Sequence, residues 1–228
     1  RDTARQFAQE EVSPSTIQRD IKGEFPADIV NKMGELGFLV IMVPSEWGGS
    51  DLDALSYVIA MEEISKVDAS VGVVMSVNNS LVCWGINEYG TPEQKEKYLK
   101  PLASGQVIGA FCLSEPEAGS DATSQHTMAT QDGDYWVING TKNWITNGTS
   151  ASTYLVLAQT DREKRHKGIT CFIVEKGTEG FTHGVKEDKL GIRSSDTCSL
   201  GFTNVRVHKD NILGGVGLGF KIAMESLN

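Results

Sequence analysis

The hydrophobic pattern of this chain changes once, near Gly105, from a helical period to short runs of strand-forming residues. One kind of element cannot serve both patterns. Helix neighbours on a face lie three and four residues apart, whereas strand neighbours lie two apart. The change predicts an α+β chain. Residues 1–105 form an N-terminal all-helical domain, and residues 106–213 form an antiparallel β-barrel or sandwich domain. Residues 214–228 read as a linker and the first turns of a further helical domain.

Before Gly105, Thr3 to Val12 reads as a helix that Pro14 stops. A second helix has Pro26 near its start, a stripe of Ile29, Met33 and Leu36, and Gly37 at its end. Asp53 to Lys66 carries Leu55, Val58, Ile59 and Glu62 at helical spacing. Val71 to Leu81 is apolar on most sides, and its length favours a buried helix over a strand. Thr91-Pro92-Glu93-Gln94 is a capping box with proline at the first helical position, opening a helix that runs to about Leu102.

After Gly105 the candidate strands are Val107 to Leu113, Thr127 to Thr130, Tyr135 to Ile138, Tyr154 to Gln159, Ile169 to Val174 and Cys198 to Phe202. Asp132-Gly133 and Asn139-Gly140 are hairpin signals. The charged run Asp161 to Lys167 reads as a solvated hairpin tip. Gly214 to Gly219 is G-G-x-G-x-G with no clear strand before it, so it reads as a flexible loop and not as a dinucleotide-binding turn.

A net charge of −9 argues against nucleic acid as a partner. No apolar run is judged long enough to span a bilayer, and no signal-peptide pattern opens the chain. The four cysteines, Cys83, Cys112, Cys171 and Cys198, form no C-x-x-C pair and read as reduced, buried thiols in a reducing compartment. The four histidines lack ligand spacing, so no metal site is expected.

The run Phe111 to Ala122 carries the chemistry. It begins as an apolar strand and breaks at Glu115-Pro116 into a turn ending in Gly119-Ser120-Asp121. A strand edge presents backbone donors and acceptors at fixed spacing, which can hold a flat ring. Gly119 lets backbone approach a ligand, and Ser120 offers a hydroxyl. A strand followed by an ordinary Asx-type turn explains the same residues.

This run resembles the signature of the acyl-CoA dehydrogenase family. Three further segments resemble the same family in the same order: Gly140 to Asn147, Lys189-Leu190-Gly191-Ile192-Arg193, and Asn211 to Gly214 running on to Gly219-Phe220. The resemblance covers essentially the whole chain. It implies an FAD enzyme that oxidises an acyl-CoA thioester to the trans-2-enoyl-CoA and passes electrons to an electron-transfer flavoprotein. It places Phe111, Cys112, Leu113, Ser114, Gly119, Ser120, Trp144, Ile145 and Thr146 at the flavin, with the Thr146 hydroxyl on flavin N5. Val73 to Leu81 looks most like the short-chain (butyryl-CoA) branch, with Val77, Leu81 and Ser120 at the substrate.

The resemblance also implies a homotetramer, cytoplasmic in a bacterium and in the mitochondrial matrix of a eukaryote. It places the catalytic base on a C-terminal helical domain beyond Asn228, so residues 1–228 alone are expected to be inactive. Glu115 could be a base by position, but capping nearby N–H groups is the better reading. Arg193 suits either a phosphate or a turn anchor. A related flavin oxidase or monooxygenase, or a non-catalytic binding module, remains open as an alternative.

Overall fold

The computed structural model describes residues 1–227. Helix α1 occupies residues 2–22, passing through a π segment at Ala8–Val12 and a 3-10 turn at Ser13–Ser15. Pro14 therefore does not stop it. It sits in the first turn of the next helical segment, where its missing N–H is not needed. Gly23, at φ 64°, ends the helix.

Helix α2 is Ala27–Glu35, with Ile29, Val30 and Met33 buried. Leu36 leaves the expected stripe because it lies past the last turn, where it is about half exposed. Helix α3 is Ala54–Ser65, capped by the Asp53 carboxylate, which accepts from the Ser56 amide at 2.8 Å. Its expected apolar stripe faces outward: Leu55 and Val58 are exposed, while Ala60, Glu63 and Ile64 are buried. Arg5 of α1 bonds the buried Glu63 from Nε at 3.0 Å, which supplies the counter-charge a buried carboxylate needs.

Helix α4, Ala69–Tyr89, is long and apolar enough to cross a membrane, contrary to the sequence expectation. Here it runs through the core, against the first strand. The Asp68 carboxylate caps it at Ser70 N, 2.8 Å away, and pairs with Arg19 of α1 at 2.7 Å. Helix α5 covers residues 92–103 and opens with the expected capping box of Thr91 and Gln94. Helix α6 is Gly219–Leu227, and the expectation for Asn228 lies outside the described residues.

The strands are β1 Gly109–Cys112, β2 Met128–Asp132, β3 Tyr135–Thr146, β4 Thr153–Gln159, β5 Ile169–Glu175, β6 Phe181–Lys186, β7 Thr197–His208 and β8 Ile212–Leu213. They form one sheet in the order β6-β7-β3-β2-β4-β5-β8, with β1 beside β4. The α+β reading holds. Most pairings are antiparallel, but β1 and β2 each meet β4 in parallel, so the sheet is mixed.

Asp132-Gly133 makes the β2–β3 hairpin, as expected. Asn139-Gly140 does not turn the chain: it is a register shift inside β3, with Gly140 at φ 149°. A Cβ there would meet the Thr127 Cα at 2.7 Å, so glycine answers a close backbone approach. The interior is shared. Met75 of α4 packs in one cluster with Cys112 and Tyr154, and Val82 and Ile86 pack in another with Phe111 and Leu155.

Candidate flavin-contacting face

Two segments far apart in sequence are bolted side by side. They are residues 109–115, at and just beyond β1, and the last half of β3. Bonds to three backbone carbonyls help to join them. The Asn143 amide donates to the Ser114 carbonyl at 2.8 Å, the Lys142 ammonium to the Leu113 carbonyl at 3.0 Å, and Asn147 Nδ2 to the Gly109 carbonyl at 3.0 Å.

A second register shift lies between Lys142 and Ile145, whose side chains are both buried. Trp144, between them, has φ 60° and leaves its indole 63% exposed. A left-handed non-glycine residue in a strand is strained, by about 1–3 kcal/mol, and such strain collects at ligand sites. Thr146, the last residue of the strand, is half-buried, and Ile145 beside it is buried.

Phe111 and Cys112 are buried, and Leu113 and Ser114 are half-buried. Phe111 and Leu113 pack in one apolar cluster with Val77 and Leu81, which lie on the π-widened stretch Val77–Cys83 of α4. Asn78 fixes that stretch to β1 by accepting from the Gly109 amide at 3.0 Å. Gly119 and Ser120 lie on an exposed turn, and a Cβ added to Gly119 would meet nothing within 4 Å. The structure thus packs Val77, Leu81, Phe111 and Leu113 together, ties Ser114 to the stretch of β3 that carries Trp144 and Thr146, and leaves Gly119 and Ser120 on an exposed turn.

Beneath the face lies a buried ionic knot. Lys142 Nζ donates to Glu115 Oε1 at 2.7 Å and to Gln125 Oε1 at 3.0 Å, besides Leu113. Glu115 also accepts from the amides of His126 at 2.6 Å and Thr127 at 3.1 Å. Burial pushes the Glu115 carboxyl up, but the Lys142 ammonium and these N–H groups more than offset that and hold it below its usual range. A carboxylate so committed is a cap and not a free base, as the turn chemistry suggested. Burial pulls the Lys142 ammonium down, against the attraction of Glu115.

Arg193 is a turn anchor: its guanidinium donates to the Asp20 carbonyl at 3.2 Å and the Lys189 carbonyl at 3.0 Å. The Asp161 to Lys167 run is an exposed connection between β4 and β5, as expected. A cleft of about 630 Å³ lies elsewhere, lined among others by Thr91, Lys97, His208 and Asn211, and none of the residues expected at the flavin or the substrate borders it.

Residues 1–106 match the family model for the acyl-CoA dehydrogenase N-terminal domain, and residues 110–205 match that for the acyl-CoA dehydrogenase middle domain. The chain belongs to the acyl-CoA dehydrogenase family. It is 53% identical over 228 residues to the mitochondrial short-chain specific acyl-CoA dehydrogenase of Bos taurus, covering all of this chain and 55% of that protein. The solved butyryl-CoA dehydrogenase of Megasphaera elsdenii superposes with a TM-score of 0.95 at 44% identity, covering 98% of this chain and 60% of that one. A chain in the solved electron transferring flavoprotein of Acidaminococcus fermentans gives 0.97 at 48% identity, covering 99% and 60%. The chain thus spans a little over half the length of these family members.

The sequence motifs gave no role to Lys142, Asn143 or Gln125. One signal was available. A carboxylate predicted to cap N–H groups inside a packed turn needs a counter-charge, and Lys142 is a cation in a strand beside the motif.

Proposed function

We propose that the protein is an FAD-dependent acyl-CoA dehydrogenase that converts a short-chain acyl-CoA to its trans-2-enoyl-CoA and hands electrons to an electron transferring flavoprotein. Its helical residues 1–105 and sheet residues 106–213 act as two units around one flavin-contacting face. The observation that carries this reading is the exposed, left-handed Trp144 two residues before Thr146, on the strand whose Asn143 amide donates to the Ser114 carbonyl.

The residues present fit a flavin. A flat ring needs an apolar platform, edge donors and open space. Trp144 offers the platform, Ser114 and Thr146 offer donors, and the void above Gly119 leaves room for backbone to meet a ligand. When bound, FAD supplies the acceptor for the hydride leaving the substrate β-carbon. Ser114 and Thr146 would orient the ring and stabilise charge that develops on it. Val77, Leu81, Phe111 and Leu113 would exclude water along a short acyl chain, and Ser120 would reach the CoA side.

Glu115 is spent on Lys142, so the base that removes the α-proton is proposed to lie outside residues 1–228, in the length by which the family members exceed this chain. A homotetramer in a bacterial cytoplasm or a mitochondrial matrix completes the reading. The test is direct. The full-length protein should purify yellow with FAD and bleach without oxygen when butyryl-CoA is added. A colourless protein that takes up no FAD on reconstitution overturns the proposal, and rapid reoxidation in air would turn it toward an oxidase.

A further inference from the structure

The flavin reading makes no use of Lys142, yet its side chain is 0% exposed and meets three acceptors. An ammonium has three donor hydrogens, so Leu113 O, Glu115 Oε1 and Gln125 Oε1 use them all. Cross-bracing alone does not demand a charge, because well-packed apolar side chains commonly replace a buried ion pair without loss of stability. The contact an apolar side chain could not reproduce is the one to the Leu113 backbone carbonyl.

That contact fixes an orientation. A trans peptide is planar, and its C=O and N–H point in opposite directions. Among the described residues every peptide bond is trans. With the Leu113 carbonyl held inward by Lys142 at 3.0 Å, the Ser114 N–H of the same peptide points outward. The next peptide is held as well, since the Ser114 carbonyl accepts from Asn143 N at 2.8 Å. Among the described residues, no backbone carbonyl accepts from the outward Ser114 N–H. A cation on the carbonyl end of a peptide also polarises it and strengthens its N–H as a donor.

We propose that Lys142 is a positioning residue that aims the Ser114 amide N–H at the flavin, with Glu115 and Gln125 holding the ammonium in place. The inference rests on the FAD reading. It predicts that losing the ammonium weakens FAD binding and weakens it more for the reduced form, whose extra negative charge a polarised donor favours.

The experiment uses the full-length holoprotein. The paired variant Lys142→Met with Glu115→Gln removes the ammonium without stranding a buried charge. As a control, Arg19→Met with Asp68→Asn neutralises another buried ion pair, far from the face in sequence and in the helical domain. FAD affinity is read by flavin fluorescence, and the midpoint potential by dye-coupled titration. The paired variant should bind FAD about tenfold more weakly, and its preference for the reduced form should fall about tenfold, a drop of about 30 mV for a two-electron couple. The control pair should hold the wild-type potential.

Should the paired variant not fold, Ser114→Pro deletes the N–H itself and should lower the potential in the same way. A wild-type potential in either variant overturns the inference, as does an equal shift in the control pair. Failure of the wild-type protein to bind FAD at all would instead overturn the flavin reading, so the two failures are distinguishable.

Discussion

Asn147 Nδ2 donates to the Gly109 carbonyl at 3.0 Å, tying the residue just past the end of β3 to the first residue of β1. Asn147 is fully buried and left-handed, at φ 61°. Asparagine tolerates that conformation better than most residues, and its amide reaches where a backbone donor is lacking. The bond therefore sets the spacing between the two segments that build the face.

Asn147→Ala should lose both the bond and the tolerance of the left-handed backbone. Leaving the Gly109 carbonyl unpartnered costs about 1–3 kcal/mol. Thermal unfolding should shift down by several degrees, and FAD uptake should weaken because the spacing relaxes. An unchanged melting curve would show that the bond is incidental.

Gly140→Ala should be among the more damaging small substitutions in β3. The new Cβ would lie 2.5 Å from Thr127 Oγ1 and 2.7 Å from Thr127 Cα, so the backbone itself must move. Overpacking of this kind costs about 1–3 kcal/mol, with the φ of 149° adding strain. Urea unfolding of the variant against wild type measures it.

Period and punctuation made much of this fold legible. The change near Gly105, the capping box at Thr91 and the strand turning at Glu115-Pro116 are local signals, and each reappears in the structure. The misreading of Asn139-Gly140 came from a partner distant in sequence, whereas those at Pro14 and Leu36 had local causes. Leu55 and Val58 face solvent, while Glu63 of the same helix is buried and bonded by Arg5. Asn139-Gly140 has the composition of a hairpin, but β7 continues to pair across it, so it becomes a bulge. The Phe111 and Trp144 motifs were visible as motifs. Their cross-linking through Lys142 and Asn143 was not, because a buried lysine and a solvated one look alike in a strand.

All four cysteines are free and buried. Burial pushes the Cys171 thiol up to about 12 and the Cys198 thiol up to about 11, and it raises Cys83 and Cys112 as well. Thiol reagents attack the thiolate, so native protein at neutral pH should react very slowly. Residues 1–228 should then release four equivalents in denaturant, and a fast-reacting native thiol would contradict the packing around β1, β5 and β7.

The Glu115 carboxyl lies below its ordinary value of 4.5 in the folded protein. A depressed carboxyl adds stability that is fully present above the unfolded value and is lost as pH falls through the folded one. Wild-type unfolding midpoints should therefore fall on acidification below pH 4.5 more steeply than those of Glu115→Gln. Parallel curves for the two proteins would show that Glu115 is not held by Lys142 in solution.

Thr146→Val is the sharpest test of the proposed chemistry. Valine keeps the branched shape that a strand favours and removes only the hydroxyl. Backbone pairing of Thr146 with Thr197 is untouched, so the fold and FAD binding should persist. A hydrogen bond to a group that gains charge is worth about 1.5–3 kcal/mol, which corresponds to about a ten- to hundredfold slower reduction by butyryl-CoA in stopped flow. The loss should appear in the rate of reduction more than in substrate affinity, because the bond matters most once charge has developed on the ring. Unchanged reduction kinetics in a yellow, folded Thr146→Val protein would make Thr146 an ordinary strand residue and would leave Trp144 and Ser114 to carry the face.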